Sequence, residues 1–163
     1  MSPDRRHPWG GSGLATKFGL KGDFEITTTV EILAREVPQA GYGAGVRLYI
    51  NKKDSRIGAT LCRMVRPGGK EIVLWDFTEE KGQEKTPSVL EGTKPCKTDK
   101  VKLRLKRTGV TLQYLWAPAD SDEFSEIKSV ECGDHPVHRV TLTAINGKQP
   151  ISLEARLIDF RIK

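Results

Sequence analysis

The sequence lacks a long apolar stretch, and it contains few cysteines. It has no run of about 18 apolar residues, which is the length that a membrane-spanning helix requires, and we therefore expect no membrane span. The three cysteines, Cys62, Cys96 and Cys132, are too few for the disulfide framework of a small secreted domain. This number leaves open whether all three are free or whether one bridge stands beside one free thiol.

The amino terminus lacks the apolar segment of a signal peptide. The first residues, MSPDRRHPWGGSG, are basic and rich in glycine, and this composition indicates a flexible arm, or the boundary of the expressed segment, over residues 1–13 rather than a secretion signal. The remaining residues, 14–163, have the size of a single domain. A chain of this size buries roughly 70% of its unfolded surface, and it therefore needs neither a metal nor a disulfide to fold.

Runs of like charge are also absent. The chain has 27 Lys and Arg against 21 Asp and Glu, a net charge of +6, and both signs are scattered along it. No block of about five like charges marks a tail that binds a polyanion. This distribution favours a mixed, solvated surface over one that is built for an anionic partner.

No long segment has helical periodicity, and an alternation with a period of two is present instead. In FEITTTVEIL, Phe24, Ile26, Val30 and Ile32 share one parity, and most polar residues have the other. Because side chains alternate across a strand, this segment has one apolar face and one polar face. Its threonine and isoleucine content fits a half-buried pleated surface.

Similar runs recur along the chain, and turn-forming residues separate them. The sharpest separator is Asn146-Gly147, because both residues tolerate the positive φ of a tight hairpin turn. Segment 78–99 is the least regular, and we interpret it as a long loop with one short strand near Ser88 to Leu90. About ten short strands with polar turns between them indicate an all-β fold, an antiparallel β-sandwich. The other predicted strands are 24–33, 45–50, 56–65, 70–77, 101–107, 110–116, 124–131, 137–146 and 151–162.

The last predicted strand changes its parity partway along. Its apolar positions are Ile151, Leu153, Ala155 and Leu157, followed by Ile158, Phe160 and Ile162. A change of phase by one residue predicts a β-bulge near Leu157–Asp159, a device that curved sandwiches use.

The segment VKLRLKRTGVTLQYLW places a cation at every second position from Lys102 to Lys106 and then continues to Tyr114 and Trp116. The two aromatic residues share the parity of the apolar residues in their own strand. In a hairpin through Gly109 the apolar faces of the two strands align, and the aromatic rings then pack inward. A nucleic-acid platform needs exposed aromatic residues among the cations. We therefore expect no nucleic-acid partner.

Four segments follow one another in a recognisable order of strand patterns. They are Gly22-Asp23-Phe24-Glu25, Gly43-Ala44-Gly45-Val46, Leu103 to Gly109, and Ile158-Asp159-Phe160-Arg161-Ile162. In this order they resemble the concanavalin A-like lectin/glucanase superfamily, and in particular its laminin-G-like modules and related domains of unknown function. The resemblance implies a concanavalin A-like jelly roll of two curved antiparallel sheets, with the first and last strands adjacent.

The resemblance also implies a class of function. Members of this superfamily bind glycans or proteins, or cleave β-glucans, and many are modules of larger extracellular proteins. We therefore expect a non-catalytic module for a carbohydrate or protein ligand, in an extracellular or cell-envelope location. The alternatives are a glycoside hydrolase and a purely structural accessory domain, because a fold does not decide between functions.

An enzyme is the less favoured interpretation. The glucanases of the superfamily carry Glu-x-Asp-x-x-Glu on one strand, and this chain lacks that motif. Glu25 and Glu31 share a face but lie roughly 20 Å apart along their strand, whereas glycoside hydrolysis needs two carboxyl groups about 5 to 9.5 Å apart. Carboxylates from different strands remain an alternative source of such a pair.

A few residues are candidates for ligand binding. By parity, Arg47 and Tyr49 face away from the apolar side of their strand, and we expect Arg63 and Arg104 to neighbour them on one outer face. Trp75 is a further aromatic candidate. Aromatic rings flanked by polar side chains are typical of glycan sites. The alternative for each residue is a solvated arginine or an aromatic ring packed at the edge of the sandwich.

Calcium is the one cofactor that the resemblance suggests. Some members of the superfamily bind calcium beside the terminal strands, which nominates Asp159 and a backbone carbonyl near Gly22. Oxygen ligands of this kind suit calcium. The sequence has no loop rich in Asp and Asn that would strengthen this expectation.

Overall fold

The computed structural model describes residues 11–53, 57–80, 87–147 and 149–163. Within these ranges the chain forms strands almost throughout, with one short 3₁₀ turn at Pro67–Gly69. No helix in the described ranges is long and apolar enough to cross a membrane. The strands are β1 (Gly11–Ala15), β2 (Phe24–Arg35), β3 (Ala44–Lys52), β4 (Gly58–Val65), β5 (Glu71–Glu80), β6 (Pro87–Pro95), β7 (Lys100–Thr108), β8 (Thr111–Pro118), β9 (Ser125–Glu131), β10 (Val137–Ile145) and β11 (Leu153–Ile162).

The strands form two antiparallel sheets that pack face to face. The six-stranded sheet has the order β1-β10-β3-β4-β5-β6, and the five-stranded sheet has the order β11-β2-β7-β8-β9. The predicted all-β sandwich with jelly-roll topology is confirmed. The strand that follows Gly22-Asp23 pairs with the last strand of the chain, as the resemblance implies.

The core lies between the two sheets and consists of the apolar parity of each strand. Ile26 of β2, Leu48 of β3, Leu61 of β4 and Leu103 of β7 have no exposed surface. Full burial of a side chain of this size contributes about 1.5–3 kcal/mol. The packing of these residues therefore sets which face of each strand points outward.

The β7–β8 hairpin has the orientation that its parity predicts. Leu103 and Leu105 are fully buried, while Lys106 is exposed. Tyr114 also lies in the core, and its hydroxyl donates a hydrogen bond of 2.8 Å to the backbone carbonyl of Asp76. Trp116 is partly buried against the same core. The expected inward packing of both aromatic residues is confirmed.

The predicted bulge in the last strand is also confirmed. Leu157 pairs with Val30, and Asp159 pairs with Thr29, which leaves Ile158 as the extra residue. The bulge turns Ile158 outward, where 43% of its surface is exposed. Because of this one extra residue, both halves of β11 keep their apolar parity toward the core.

The structure differs from the sequence expectations at two edge strands. Residues Gly11–Gly13 pair with β10 and belong to the sheet, although residues 1–13 are expected to form a flexible arm. Residues 1–10 of that arm lie outside the described ranges. The expected short strand near Ser88 to Leu90 is instead the nine-residue strand β6. β1 and β6 are the two edge strands of the six-stranded sheet. An edge strand is less buried than a central one, and its sequence therefore need not alternate between apolar and polar residues.

Candidate functional site

The outer face of the six-stranded sheet carries a row of polar residues across five strands. From β10 to β6 the row runs through Thr141, Tyr49, Thr60, Asp76 and Glu91, and each residue stands directly opposite the next in the register. Residues that stand opposite each other point to the same face. The chain neighbours of Tyr49, Thr60 and Asp76 fill the core, and this row therefore points away from it.

A second row lies one step further along the same face. Arg47 stands between Thr143 on β10 and Cys62 on β4, and its guanidinium carbon lies 5.2 Å from the centre of the Tyr49 ring. The Tyr49 ring packs over Gly58, since a Cβ atom at Gly58 would come within 2.6 Å of its hydroxyl. The missing side chain at Gly58 thus gives the tyrosine its position.

A third contribution comes from the segment that precedes β3. Tyr42 donates a hydrogen bond of 3.1 Å from its hydroxyl to Glu91 on β6, and the guanidinium of Arg66 lies 5.2 Å from the Tyr42 ring centre. Because β6 is three strands away from β3, Tyr42 leans across the face. Gly43 permits this course with its φ of +125°, which side chains disfavour.

A small apolar cluster lies beneath these residues. Cys62, Met64, Ile72 and Leu74 of β4 and β5 point to the outer face, and none of them has exposed surface. A Cβ atom at Gly43 would come within 3.1 Å of the Met64 side chain, which places the segment before β3 directly above the cluster. The polar residues of the outer face thus lie on a rigid apolar support.

The electrostatics of the face keep its tyrosines protonated. Burial, and then the nearby Glu91 carboxylate, raise the pKa of Tyr42 to about 12. Burial likewise raises the pKa of Tyr49. Burial raises the pKa of Asp76, with the charge of Glu91 adding to it, although a hydrogen bond from Thr60 and the charge of Arg47 act in the opposite direction. At neutral pH both tyrosines are therefore hydrogen-bond donors.

Three buried polar atoms on this face have no partner. They are Nε of Arg47, Nε of Arg66 and Oγ1 of Thr143, and no others were found among the described residues that are not exposed. A buried donor or acceptor without a partner costs about 1–3 kcal/mol. All three lie on one face and have no hydrogen-bond partner within the protein, and this grouping marks the face as a candidate site.

Of the sequence candidates, Arg47 and Tyr49 lie together on this face, as their parity predicts. The expectation that Arg63 neighbours them is wrong. Arg63 has no exposed surface, and it stands opposite Val46 and Val73 on the inner face. The parity of β4 gave no warning of this, because every residue of the strand is buried.

Inside the sandwich, Arg63 has a complete set of partners. It donates to the backbone carbonyls of Thr98 and Met64 at 2.9 Å each and to the Glu71 carboxylate at 2.7 Å. Glu71 also forms an ion pair with Arg35 of β2. The network holds elements of both sheets together, and its geometry is that of a structural centre rather than of a ligand site.

Trp75 and Arg104 are also displaced from the expected group. Trp75 is 9% exposed and packs in the core with its ring centre 5.6 Å from that of Tyr114. Arg104 lies on the outer face of the five-stranded sheet, where it donates to Thr27 Oγ1 at 2.9 Å and stacks 3.7 Å from the Phe124 ring centre. The two arginines Arg47 and Arg104 therefore lie on opposite sides of the sandwich.

The two residues nominated for calcium do not lie together. Asp159 pairs with Thr29, seven residues beyond Gly22 along the chain, which corresponds to about 23 Å. The Gly22 carbonyl accepts a hydrogen bond of 2.8 Å from Nε of the buried Arg107, and Asp159 forms an ion pair of 2.8 Å with Arg161. The described residues contain no group of three or more His, Cys, Asp or Glu side chains with metal-binding geometry.

Sequence reasoning missed four residues of the face, namely Tyr42, Arg66, Asp76 and Glu91. One signal was available for Asp76, since an acidic residue within the apolar run IVLWDF needs a reason to be there. Tyr42 directly precedes the segment Gly43-Ala44-Gly45-Val46, and no alternating pattern assigns its side chain to a face. Arg66 and Glu91 carry no local signal, because the sheet register alone brings them to the face.

Comparison with known proteins identifies a family and a fold. The sequence matches the family described as "Protein of unknown function (DUF1583) C domain" over residues 1–163. No curated protein matches it at a significant level. The fold is similar to the legume lectin-like domain from Entamoeba histolytica, with 15% identity and a TM-score of 0.64 over 94% of this chain and 78% of that one.

Two further solved structures share the fold. The carbohydrate-binding module CBM66 from Bacillus subtilis has 13% identity and a TM-score of 0.58, over 94% of this chain and 81% of that one. The GH43 protein BlXynB from Bacillus licheniformis has 10% identity and a TM-score of 0.64, over 86% of this chain but only 27% of that one. At these identities the likeness concerns the fold alone.

Proposed function

The chain belongs to the DUF1583 C-domain family, and we propose that this domain is a non-catalytic module that binds a carbohydrate on the outer face of its six-stranded sheet. The observation that carries the proposal is the gathering of two tyrosines, two arginines and two carboxylates on one face that also holds three unpartnered buried polar atoms. We also propose that this domain is one module of a larger protein.

The chemistry of the face suits a sugar. Tyrosine rings offer a flat apolar surface for a sugar ring together with a hydroxyl donor. The arginines and carboxylates supply the few placed polar groups that fix the orientation of a ligand. The lectin-like domain and the carbohydrate-binding module among the similar structures support this ligand class over a protein ligand.

The test is a glycan-array screen of the purified chain, followed by calorimetry with the glycan that binds best. The Tyr49→Ala variant should bind that glycan about tenfold more weakly or worse, because the stacking surface is lost. The matched control is Phe124→Ala, which removes an aromatic ring from the opposite face. Silence of the array, or an equal loss in both variants, would contradict the proposal.

A second candidate function is glycoside hydrolysis, and one observation favours it. Asp76 and Glu91 stand directly opposite each other on adjacent strands of the same face, with Cβ atoms about 5 Å apart. A retaining glycosidase needs two carboxyl groups at about this separation, and the raised pKa of Asp76 suits the acid of such a pair. Release of reducing sugar from a β-glucan, lost in both Asp76→Asn and Glu91→Gln, would support this function. Binding of the glucan without its hydrolysis would contradict the glycosidase and support the non-catalytic module.

We expect an extracellular or cell-envelope location, because the proposed carbohydrate ligand is a polysaccharide and polysaccharides accumulate there. The three cysteines are free in the structure, and the domain therefore does not depend on an oxidising compartment to fold. Fractionation of cells that make the full-length protein, with an antibody against this domain, tests this location. Recovery in the cytosol alone would contradict it.

A further inference from the structure

The proposed binding face has cations without acceptors, whereas its acids already have donors. Glu91 accepts a hydrogen bond from Tyr42, and Asp76 accepts one from Thr60. The Nε atoms of Arg47 and Arg66 are buried without any acceptor. What this face lacks is therefore an acceptor within reach of these two Nε atoms, and this lack indicates the chemistry of its ligand.

Resting on the proposed function, we infer that the carbohydrate is an acidic polysaccharide whose anionic groups supply the acceptors that Arg47 and Arg66 lack. A planar guanidinium binds a carboxylate through two parallel N–H···O bonds. Nε and one terminal nitrogen of the same arginine form such a pair of donors when that edge turns toward the ligand. A neutral sugar hydroxyl does not offer this paired acceptor, and the preference for acid follows from that difference.

The two arginines form two separate subsites of the same composition. The Arg47 guanidinium lies against Tyr49, and the Arg66 guanidinium lies against Tyr42, each at 5.2 Å from the ring centre. In each subsite the ring can take the apolar face of a sugar while the arginine takes its acidic group.

The separation of the two subsites favours a polymer over a single sugar. Val65, which precedes Arg66, stands opposite Ala44. Ala44 lies three residues before Arg47, which corresponds to about 10 Å along β3. A polymer with acidic groups at regular intervals occupies both subsites at once, whereas one acidic sugar reaches only one of them.

The experiment measures the affinity of the purified chain for three polymers by affinity electrophoresis and calorimetry. The polymers are polygalacturonate, which is carboxylated, dextran sulfate, which is sulfated, and a neutral β-glucan. Polygalacturonate should bind at least about tenfold more tightly than the neutral polymer. Arg47→Gln and Arg66→Gln should each lower the affinity for polygalacturonate about tenfold and lower the affinity for the neutral polymer by a smaller factor, so that the preference for the acidic polymer falls. Loss of dextran sulfate binding in the same variants supports recognition of any anionic oxygen, and binding of polygalacturonate alone supports a carboxylate.

Matched variants separate this chemistry from folding and from net charge. Arg104→Gln removes an equal charge from the opposite face and should leave every affinity unchanged. Arg47→Lys keeps the charge but loses the planar fork, and it should lose most of the preference for polygalacturonate. Because neither Nε atom has a partner to lose, Arg47→Gln and Arg66→Gln should unfold within about 2 °C of the wild type.

Three results would overturn the inference, and they have different consequences. Equal affinity for the neutral and acidic polymers would remove it and leave the proposed function standing. An equal loss in Arg104→Gln would assign the binding to net charge. Absence of binding to any of the three polymers, together with a silent glycan array, would remove the proposed function as well.

Discussion

The buried arginine Arg63 joins the two sheets at one end. Arg63 has no exposed surface, and its guanidinium reaches two backbone carbonyls and the carboxylate of Glu71. Glu71 in turn pairs with Arg35 near the end of β2. A buried charge is tolerated where its partners are complete. The removal of one member should therefore cost much more than the removal of a surface charge.

We expect Arg63→Met to lower the free energy of unfolding by about 3–5 kcal/mol. The substitution leaves the Glu71 carboxylate and two backbone carbonyls without their hydrogen-bond donor. Chemical denaturation at neutral pH measures this loss. Lys106→Met is the matched control, since Lys106 is exposed on β7, and a change there should stay within about 0.5 kcal/mol. A loss below about 1 kcal/mol in Arg63→Met would show that the network is dispensable.

The same network predicts a dependence of stability on pH. Burial alone would raise the pKa of Glu71, but hydrogen bonds from Arg35 and Arg63 outweigh it and hold that pKa below the usual value of a glutamate. A lowered pKa in the folded state gives stabilisation that is complete above the unfolded-state pKa of about 4.3 and is lost as the pH falls through the folded-state value.

Glu71→Gln should therefore be less stable than the wild type at pH 7, and the difference should shrink as the pH falls below about 4. Thermal unfolding midpoints measured from pH 7 to pH 2.5 give this comparison. A difference that stays constant over the whole range would mean that the charge of Glu71 contributes nothing to stability.

At the scale of elements, the sequence predicts a strand well where one face of the strand is buried and the other is exposed to solvent. β2, β7 and β8 alternate clearly, and their inward faces agree with the structure, as do their bounds to within two residues. β4 is buried on both faces, and its apolar pattern therefore did not reveal that Arg63 points inward. Trp75 in β5 was misplaced for the same reason, because residues on both faces of that strand are buried.

The candidate site was only half visible in the sequence. Arg47 and Tyr49 belong to one strand, and their shared face follows from parity alone. Glu91 reaches them only through the pairing of β6 with β5, and Tyr42 reaches them through a segment that leans across the sheet. Such placement depends on long-range strand register, which a local pattern does not contain.

The bulge in β11 predicts an unusual tolerance to deletion. Leu157 and Asp159 already pair with consecutive residues of β2, Val30 and Thr29. Deletion of Ile158 should therefore remove this bulge while every neighbour keeps its face, and we expect the variant to fold, with a loss of about 1 kcal/mol or less.

Deletion of Lys102 is the contrasting variant for this prediction. It lies in β7 between two paired neighbours without a bulge, and its removal shifts one half of the strand by one residue, which turns leucines outward. Circular dichroism and thermal unfolding compare the two variants. The interpretation of the bulge fails if loss of Ile158 unfolds the protein as completely as loss of Lys102.

At the scale of the whole molecule, the two outer faces use their charges differently. On the six-stranded sheet the Nε atoms of two arginines lack acceptors, whereas on the five-stranded sheet four cations pair with acids. The net charge of +6 is therefore not gathered into one open basic surface. The pairs on the described part of the five-stranded sheet are Arg104–Glu25 at 3.4 Å, Lys102–Asp122 at 2.6 Å, Arg161–Asp159 at 2.8 Å and Arg156–Glu31 at 3.5 Å.

This pairing predicts weak binding of nucleic acid, because affinity for a phosphate backbone depends on cations that are free to release counterions. The wild type should leave a single-stranded DNA column at low salt. The double variant Glu25→Gln with Asp159→Asn frees Arg104 and Arg161, which line one groove on the five-stranded sheet, and it should elute at higher salt. Asp134→Asn with Glu154→Gln changes the net charge equally at exposed positions elsewhere and should shift elution less. Tight retention of the wild type, or equal shifts in the two double variants, would mean that net charge rather than local pairing controls contact with polyanions.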